Sequence, residues 1–168
     1  MKLMAALLAC LLPFAVLAQA SPAGSPPEVE IQAVIEAFRT AIIDKDKERF
    51  VGLFLPSHVA WQSVRGDDTV RRAREKDPTA TKVLVNPEKT HLSFIDGIVG
   101  SKNRIEEKFR NTRIETDGDI ASVYFDYSFH ANDVETNHGQ EAWQLVRTDD
   151  GWRISAVAWS VNRTPPQS

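Results

Sequence analysis

The chain has 168 residues, with 20 Lys and Arg against 23 Asp and Glu, a formal net charge of −3. Mixed charges in a mildly acidic balance exclude nucleic acid as the main partner, because phosphate binding calls for a strongly basic face. A lone cysteine, Cys10, excludes a disulfide framework, and no stretch beyond the first residues approaches the roughly 18 apolar residues of a membrane span.

Residues 1–20 read as a secretory signal peptide. Lys2 supplies the positive charge, Leu3 to Leu12 and Phe14 to Leu17 the apolar region, and Ala18-Gln19-Ala20 the small-x-small cleavage site. The expected location is therefore periplasmic or secreted. Leu7-Leu8-Ala9-Cys10 loosely resembles a lipoprotein box, but the stronger apolar stretch follows Cys10, which favours ordinary cleavage near Ala20. Removal of that segment leaves a domain without thiol chemistry, outside the cytoplasm and away from nucleotide cofactors, so no cofactor is expected. Residues 21–27 read as a linker, 28–163 as one α+β domain and 164–168 as a tail.

Ser25-Pro26-Pro27-Glu28 has capping-box spacing ahead of Ile31, Val34, Ile35, Phe38 and Ile42, which recur at helical period. Asp46 caps a short second helix that buries Phe50, Leu53 and Phe54 and ends by Pro56. His58 to Val64 reads as a strand. The stretch from Arg65 to Lys89 is charged and irregular, with one helical turn around Val70 to Glu75; its Arg65, Arg71, Arg72, Arg74 and Lys76 alternate with acids, as a solvated loop does. A third helix, Leu92 to Val99, lies between Thr90 and Gly100. Four strands follow, Arg104 to Glu115, Ile120 to Ala131, His138 to Thr148 and Trp152 to Asn162, with turn signals at Asp117-Gly118-Asp119 and Asp149-Asp150-Gly151. Helices first and a meander of strands afterwards predict three N-terminal helices packed on one face of an antiparallel sheet.

This order resembles the nuclear transport factor 2-like superfamily, most closely its bacterial SnoaL-like and lumazine-binding branches. The resemblance runs from about Val29 to Arg163 and is carried by Phe38 to Phe54, Ser93-Phe94-Ile95-Asp96, Asp117-Gly118-Asp119-Ile120-Ala121, Asn137-His138-Gly139 and the closing run Trp143 to Ile154. It implies a strongly curved sheet wrapped round the helices as a cone with an apolar cavity. Relatives use such cavities as isomerases, dehydratases, epoxide hydrolases and cyclases, or to bind ligands and partners, so the fold does not choose the function.

Alternation along Ile120 to Ala131 puts Ala121, Val123, Phe125, Tyr127 and Phe129 on the inner face. Tyr127 is then a hydroxyl that can donate to a ligand oxygen or to a carbonyl of the core. His138, at the rim position implied by the resemblance, is the candidate base, with Gln140 on its strand face. Trp61, Phe125 and Trp159 are candidate cavity walls, or plain core. Asp96 is an acid near the expected mouth. Neither the first helix nor the inner face of Ile120 to Ala131 offers a buried acid, which disfavours acid/base catalysis. His58, His91, His130 and His138 have no close metal-ligand spacing, and no metal site is expected.

Three functions remain open. The first is a module binding a small apolar or aromatic ligand. The second is a cofactor-independent lyase or isomerase with His138 as base and Tyr127 as hydrogen-bond donor. The third is a homodimer formed through the sheet, using Tyr124 and Trp143 on the convex face.

Overall fold

The computed structural model describes residues 26–83 and 85–164. The expected signal peptide with Cys10, most of the expected linker and most of the expected tail lie outside the described residues. Among these, no helix is long and apolar enough to cross a membrane.

Helix α1, Pro27–Asp44, buries Ile31, Ile35, Phe38, Ala41 and Ile42 on one face. Its cap is Pro26 rather than Ser25, with no side-chain hydrogen bond, so the proline-rich start relies on preset φ angles and not on a capping box. Lys45 ends it in the left-handed region at φ 56°. Helix α2, Lys47–Gly52, is capped by Asp46, which accepts from the Arg49 N–H at 3.0 Å. Strand β1 is Ala60–Arg65. Helix α3, Asp67–Lys76, contains the helical turn expected around Val70 to Glu75 and extends it to ten residues of a stretch otherwise expected to be irregular; it buries only Val70. Its order comes from Asp67 and Asp68 in the first turn and Arg74 and Lys76 in the last, which suit the helix dipole. Helix α4, His91–Gly100, carries the reciprocal capping box, between Thr90 and Ser93.

Strands β2, Ile105–Thr116, β3, Ile120–Ala131, β4, Val134–Thr148, and β5, Gly151–Arg163, form the meander. β4 starts four residues earlier than expected because Asn132 and Asp133 both adopt positive φ and make a tight hairpin turn. The sheet order is β1-β5-β4-β3-β2. Its meander is antiparallel as expected, while β1 pairs with β5 in parallel, Trp61 opposite Val157 and Ser63 opposite Trp159. Register shifts at Arg110/Arg113, Phe129/His130 and Gln144/Leu145 sharpen the bend of an α+β sheet that stays unclosed. In the first of these, Asn111 has φ 55°.

The core lies between α1 and the concave face. Phe38 meets Phe50 at 4.9 Å and Trp143 at 4.7 Å between ring centroids, and Phe109 meets Phe125 at 4.4 Å. Each such ring fully removed from water stabilises by roughly 1.5–3 kcal/mol. Trp143 is completely buried in this cluster, so it is not a convex-face residue. Of the aromatic pair expected on the convex face, only Tyr124 is there, held by Gln140 and stacked under Arg113 at 4.8 Å.

Candidate functional site

Above the packed core, the concave face leaves a cavity of about 250 Å³. An apolar cavity of about 150 Å³ already accepts benzene, so this space suits a one- or two-ring molecule. Trp61 from β1, Phe94 from α4, Phe129 from β3 and Trp159 from β5 form its wall. Trp61 lies 4.9 Å from Trp159 and 5.4 Å from Phe94, so the wall is one continuous aromatic surface.

Two carboxyl groups face this cavity. Period-two alternation places Ile105, Glu107 and Phe109 of β2 inward, and Glu141, Trp143 and Leu145 of β4 inward. Glu107 pairs with Phe129 and Glu141 with Phe125, so the two acids flank Tyr127 on either side of β3. Both are only 4% exposed. Burial, and then the charge of Glu141, push the Glu107 carboxyl well above the usual carboxylate range. Burial pushes Glu141 up to about 7, opposed by the Trp143 indole N–H, which donates to Glu141 Oε1 at 2.6 Å. Two neighbouring acids in unequal surroundings give up their protons in separate steps, Glu141 first.

Neither acid is among the sequence candidates, because the rim position that the resemblance implies puts His138 and Gln140, and not Glu141, on the cavity side of β4. The signal was present: Ile-x-Glu-x-Phe and Glu-x-Trp-x-Leu each set an acid in line with core residues.

Tyr127 does point inward, 4% exposed. Its hydroxyl is within donating reach of the Ser160 carbonyl at 2.9 Å and of Asn137 Oδ1 at 3.0 Å, so its proton is already engaged. Burial and the charges of Glu107 and Glu141 push its ionisation far above the ordinary phenol value. It is a fixed dipole of the wall and cannot serve as a base.

His138 and Gln140 lie on the opposite face of β4. His138 is half exposed, and its Nδ1 sits 2.9 Å from Glu135 Oε1. The Gln140 side chain contacts Tyr124 and Asp126. His138 and Tyr127 therefore do not converge on one substrate, which corrects the expected base-and-donor pair. The physical reason is parity: His138 is an odd number of residues from both Glu141 and Trp143, whose side chains fill the concave side. Asp96 is also away from the cavity, exposed and paired with Lys47 at 2.5 Å. Asp126 is outward too, and hydrogen bonds from Asn111 and Gln140 hold its carboxyl below the usual range. Trp61 and Trp159 line the cavity, while Phe125 lies beneath it, fully buried between Phe109 and Trp143.

Gly139 sets the depth of the floor beside Tyr127. The paired register of β4 with β5 passes over Gly139 and Gln140, and Ser160 Oγ accepts the Gln140 N–H instead. A Cβ on Gly139 would stand 2.1 Å from the Ser160 carbonyl oxygen that takes the Tyr127 proton. Gly139→Ala is therefore expected to cost about 2 kcal/mol or more, since backbone must move to make room. Urea denaturation would measure it, and an unchanged midpoint would show that β5 gives way freely.

No protein-family model matches the sequence, and no curated protein does. Solved structures do match. A nuclear transport factor 2-like superfamily protein from Salmonella enterica serovar Typhimurium is 18% identical, with 83% of this chain and 94% of that one covered, at TM-score 0.58. A candidate dehydratase of the same family from Streptomyces avermitilis is 16% identical, with 83% and 100% covered, at TM-score 0.59. A Nostoc punctiforme protein of unknown function with a cystatin-like fold is 14% identical, with 83% and 93% covered, at TM-score 0.55. At such identities the likeness establishes the fold and leaves the chemistry to the residues.

Proposed function

We propose that this chain of nuclear transport factor 2-like fold is exported, binds a small, largely apolar molecule in its cone, and moves protons on it without a cofactor. The observation that carries this reading is the placement of Glu107 and Glu141 in one apolar cavity in unequal surroundings. It revives the lyase or isomerase function of the SnoaL-like kind on a different pair of residues. The signal peptide read from Lys2 to Ala20 supports the export.

At neutral pH, Glu141 is the member of the pair that ionises and Glu107 the member that keeps its proton. Glu141 takes a proton from a carbon beside a carbonyl; the electron pair moves to the carbonyl oxygen, which takes the proton of Glu107. Return of a proton to a different carbon gives an isomer. Alternatively, a β-hydroxyl leaves as water with the proton now on Glu141 while the enol proton returns to Glu107, which gives an elimination product. A general base works best when its pKa lies near working pH, and a neutral carboxylic acid is the donor an enolate needs.

A pure binding module is the second reading, favoured by the continuous aromatic wall and by the engaged hydroxyl of Tyr127. Deuterium exchange at the α-carbon of one- and two-ring ketones, followed by NMR, separates the two. Exchange above the buffer rate is expected, rising through pH about 7 as Glu141 ionises and falling again where Glu107 does. Glu141→Gln is expected to lower it at least 100-fold, within the range of general-base contributions. Tight binding with no exchange in any member of the panel would leave the binding module.

A further inference from the structure

We propose that the molecule taken by this cavity carries a carboxylate, and that the Arg163 guanidinium at the cavity mouth is its anchor. The inference rests on the binding reading above and adds the charge of the ligand. Arg163 is the last residue of β5, stands opposite Asn137 in the register, and lines the same cavity as the two acids.

Its backbone is pinned on both sides. The Arg163 N–H donates to Thr69 Oγ1 at 3.1 Å, and its carbonyl accepts from Arg72 Nη2 at 3.2 Å. Its guanidinium, by contrast, bonds to no carboxylate or carbonyl among the described residues. Other arginines here are tied: Arg39 to Glu36, Arg104 to Asp133, Arg147 to Glu30. The positive charge of Arg163 is nonetheless felt within the cavity, where it opposes the upward push on the Tyr127 hydroxyl.

A second cation stands next door. Trp61, Ser63, Phe94 and Trp159 are shared with an adjoining recess of about 280 Å³ that Lys89 lines. The Lys89 ammonium is likewise without an ion pair among the described residues. The wall is thus apolar, the floor carries two acids, and the permanent charges at the openings are positive. An arginine fork pairs with a carboxylate through two parallel hydrogen bonds, which favours an anion whose ring lies on the aromatic wall. The reacting end of such a molecule reaches the acids while its charge stays outside.

The test uses protein purified after export and three probes of one shape: 2-naphthoate, 2-naphthamide and 2-naphthylmethylammonium, titrated at pH 7 by calorimetry. Naphthoate is expected to bind at least tenfold more tightly than the amide. Arg163→Gln should reduce it to the amide level, Arg163→Lys should restore part of the preference, and Arg71→Gln, which alters a cation paired with Asp68 on α3, should change nothing. Equal affinity for amide and naphthoate, preference for the ammonium, or a naphthoate preference that survives Arg163→Gln would each overturn the anchor while leaving a binding cavity. Absence of binding by all three would overturn the binding reading itself, and the anchor with it.

Discussion

At pH 8, Glu141→Gln is expected to stabilise the folded domain by about 3 kcal/mol, and at pH 4 to leave it unchanged. The sign follows from the direction of the shift. The folded group titrates at about 7 and the unfolded one near the ordinary glutamate value of 4.5. Below the unfolded value both states hold the proton and the group costs nothing. As pH rises from 4.5 towards 7 the unfolded chain releases its proton while the folded chain keeps it, so stability falls across that window and levels above it. Glutamine is neutral in both states and still accepts from the Trp143 indole, so it removes the penalty without removing the hydrogen bond. Glu107, raised by burial and by Glu141, adds a decline of the same sign that extends higher in pH. Thermal melts of both proteins from pH 4 to 9 would show curves that meet at the acid end and part by roughly 10 °C at the alkaline end. A variant less stable than the parent at pH 8 would show that Glu141 is a structural ion. Gain of stability with loss of exchange activity is the trade-off expected where a site is held against its own solvation.

Trp143→Phe is expected to act in the opposite direction. Trp143 is wholly buried, meets Phe38 at 4.7 Å and Phe125 at 5.1 Å, and donates to Glu141. Phenylalanine keeps an aromatic ring but leaves a void and withdraws the hydrogen bond that opposes the rise of Glu141. The combined cost is about 2–4 kcal/mol. The cost at pH 8 should exceed that at pH 4 by about 1 kcal/mol or more, since a hydrogen bond to a charged group is the stronger one. The alkaline shift of Glu141 should also carry the rising limb of any activity profile above 7. Urea denaturation at the two pH values decides it; equal costs at both would show that the indole contributes volume alone.

The parts of the fold legible in the sequence are those with local causes. The apolar period of α1, the Asp46 cap and the turn at Gly118 each act within a few residues, and the elements they set form close to their expected bounds. Helix α3 was legible only as one turn at Val70 to Glu75, because its residues have no apolar period and a single buried valine leaves no stripe to detect. The parallel pairing of β1 with β5 joins residues 96 positions apart, such as Ala60 and Ala156, a contact no local pattern encodes. The site divides in the same way. Trp61, Trp159 and Tyr127 follow from strand alternation. The placing of His138 in the cavity came from resemblance, whereas alternation on β4, extended from Trp143 and Leu145, turns His138 outward and Glu141 inward. A buried acid leaves a clear mark in a sequence, a carboxylate in phase with core residues, and both acids here carry it.

The bulge at Arg110 to Arg113 also bears on how the sheet meets other chains. β2 borders the sheet, and a long, regular border strand is a template onto which another chain can add. Asn111, turned into the left-handed region, breaks that row of donors and acceptors near its middle, and Lys108, Arg110 and Arg113 set charge along it. At the other border, the bridge from Val64 to Val83 occupies part of β1. Both borders are thereby made poor partners for a second strand, a safeguard against edge-to-edge aggregation in a sheet-rich protein.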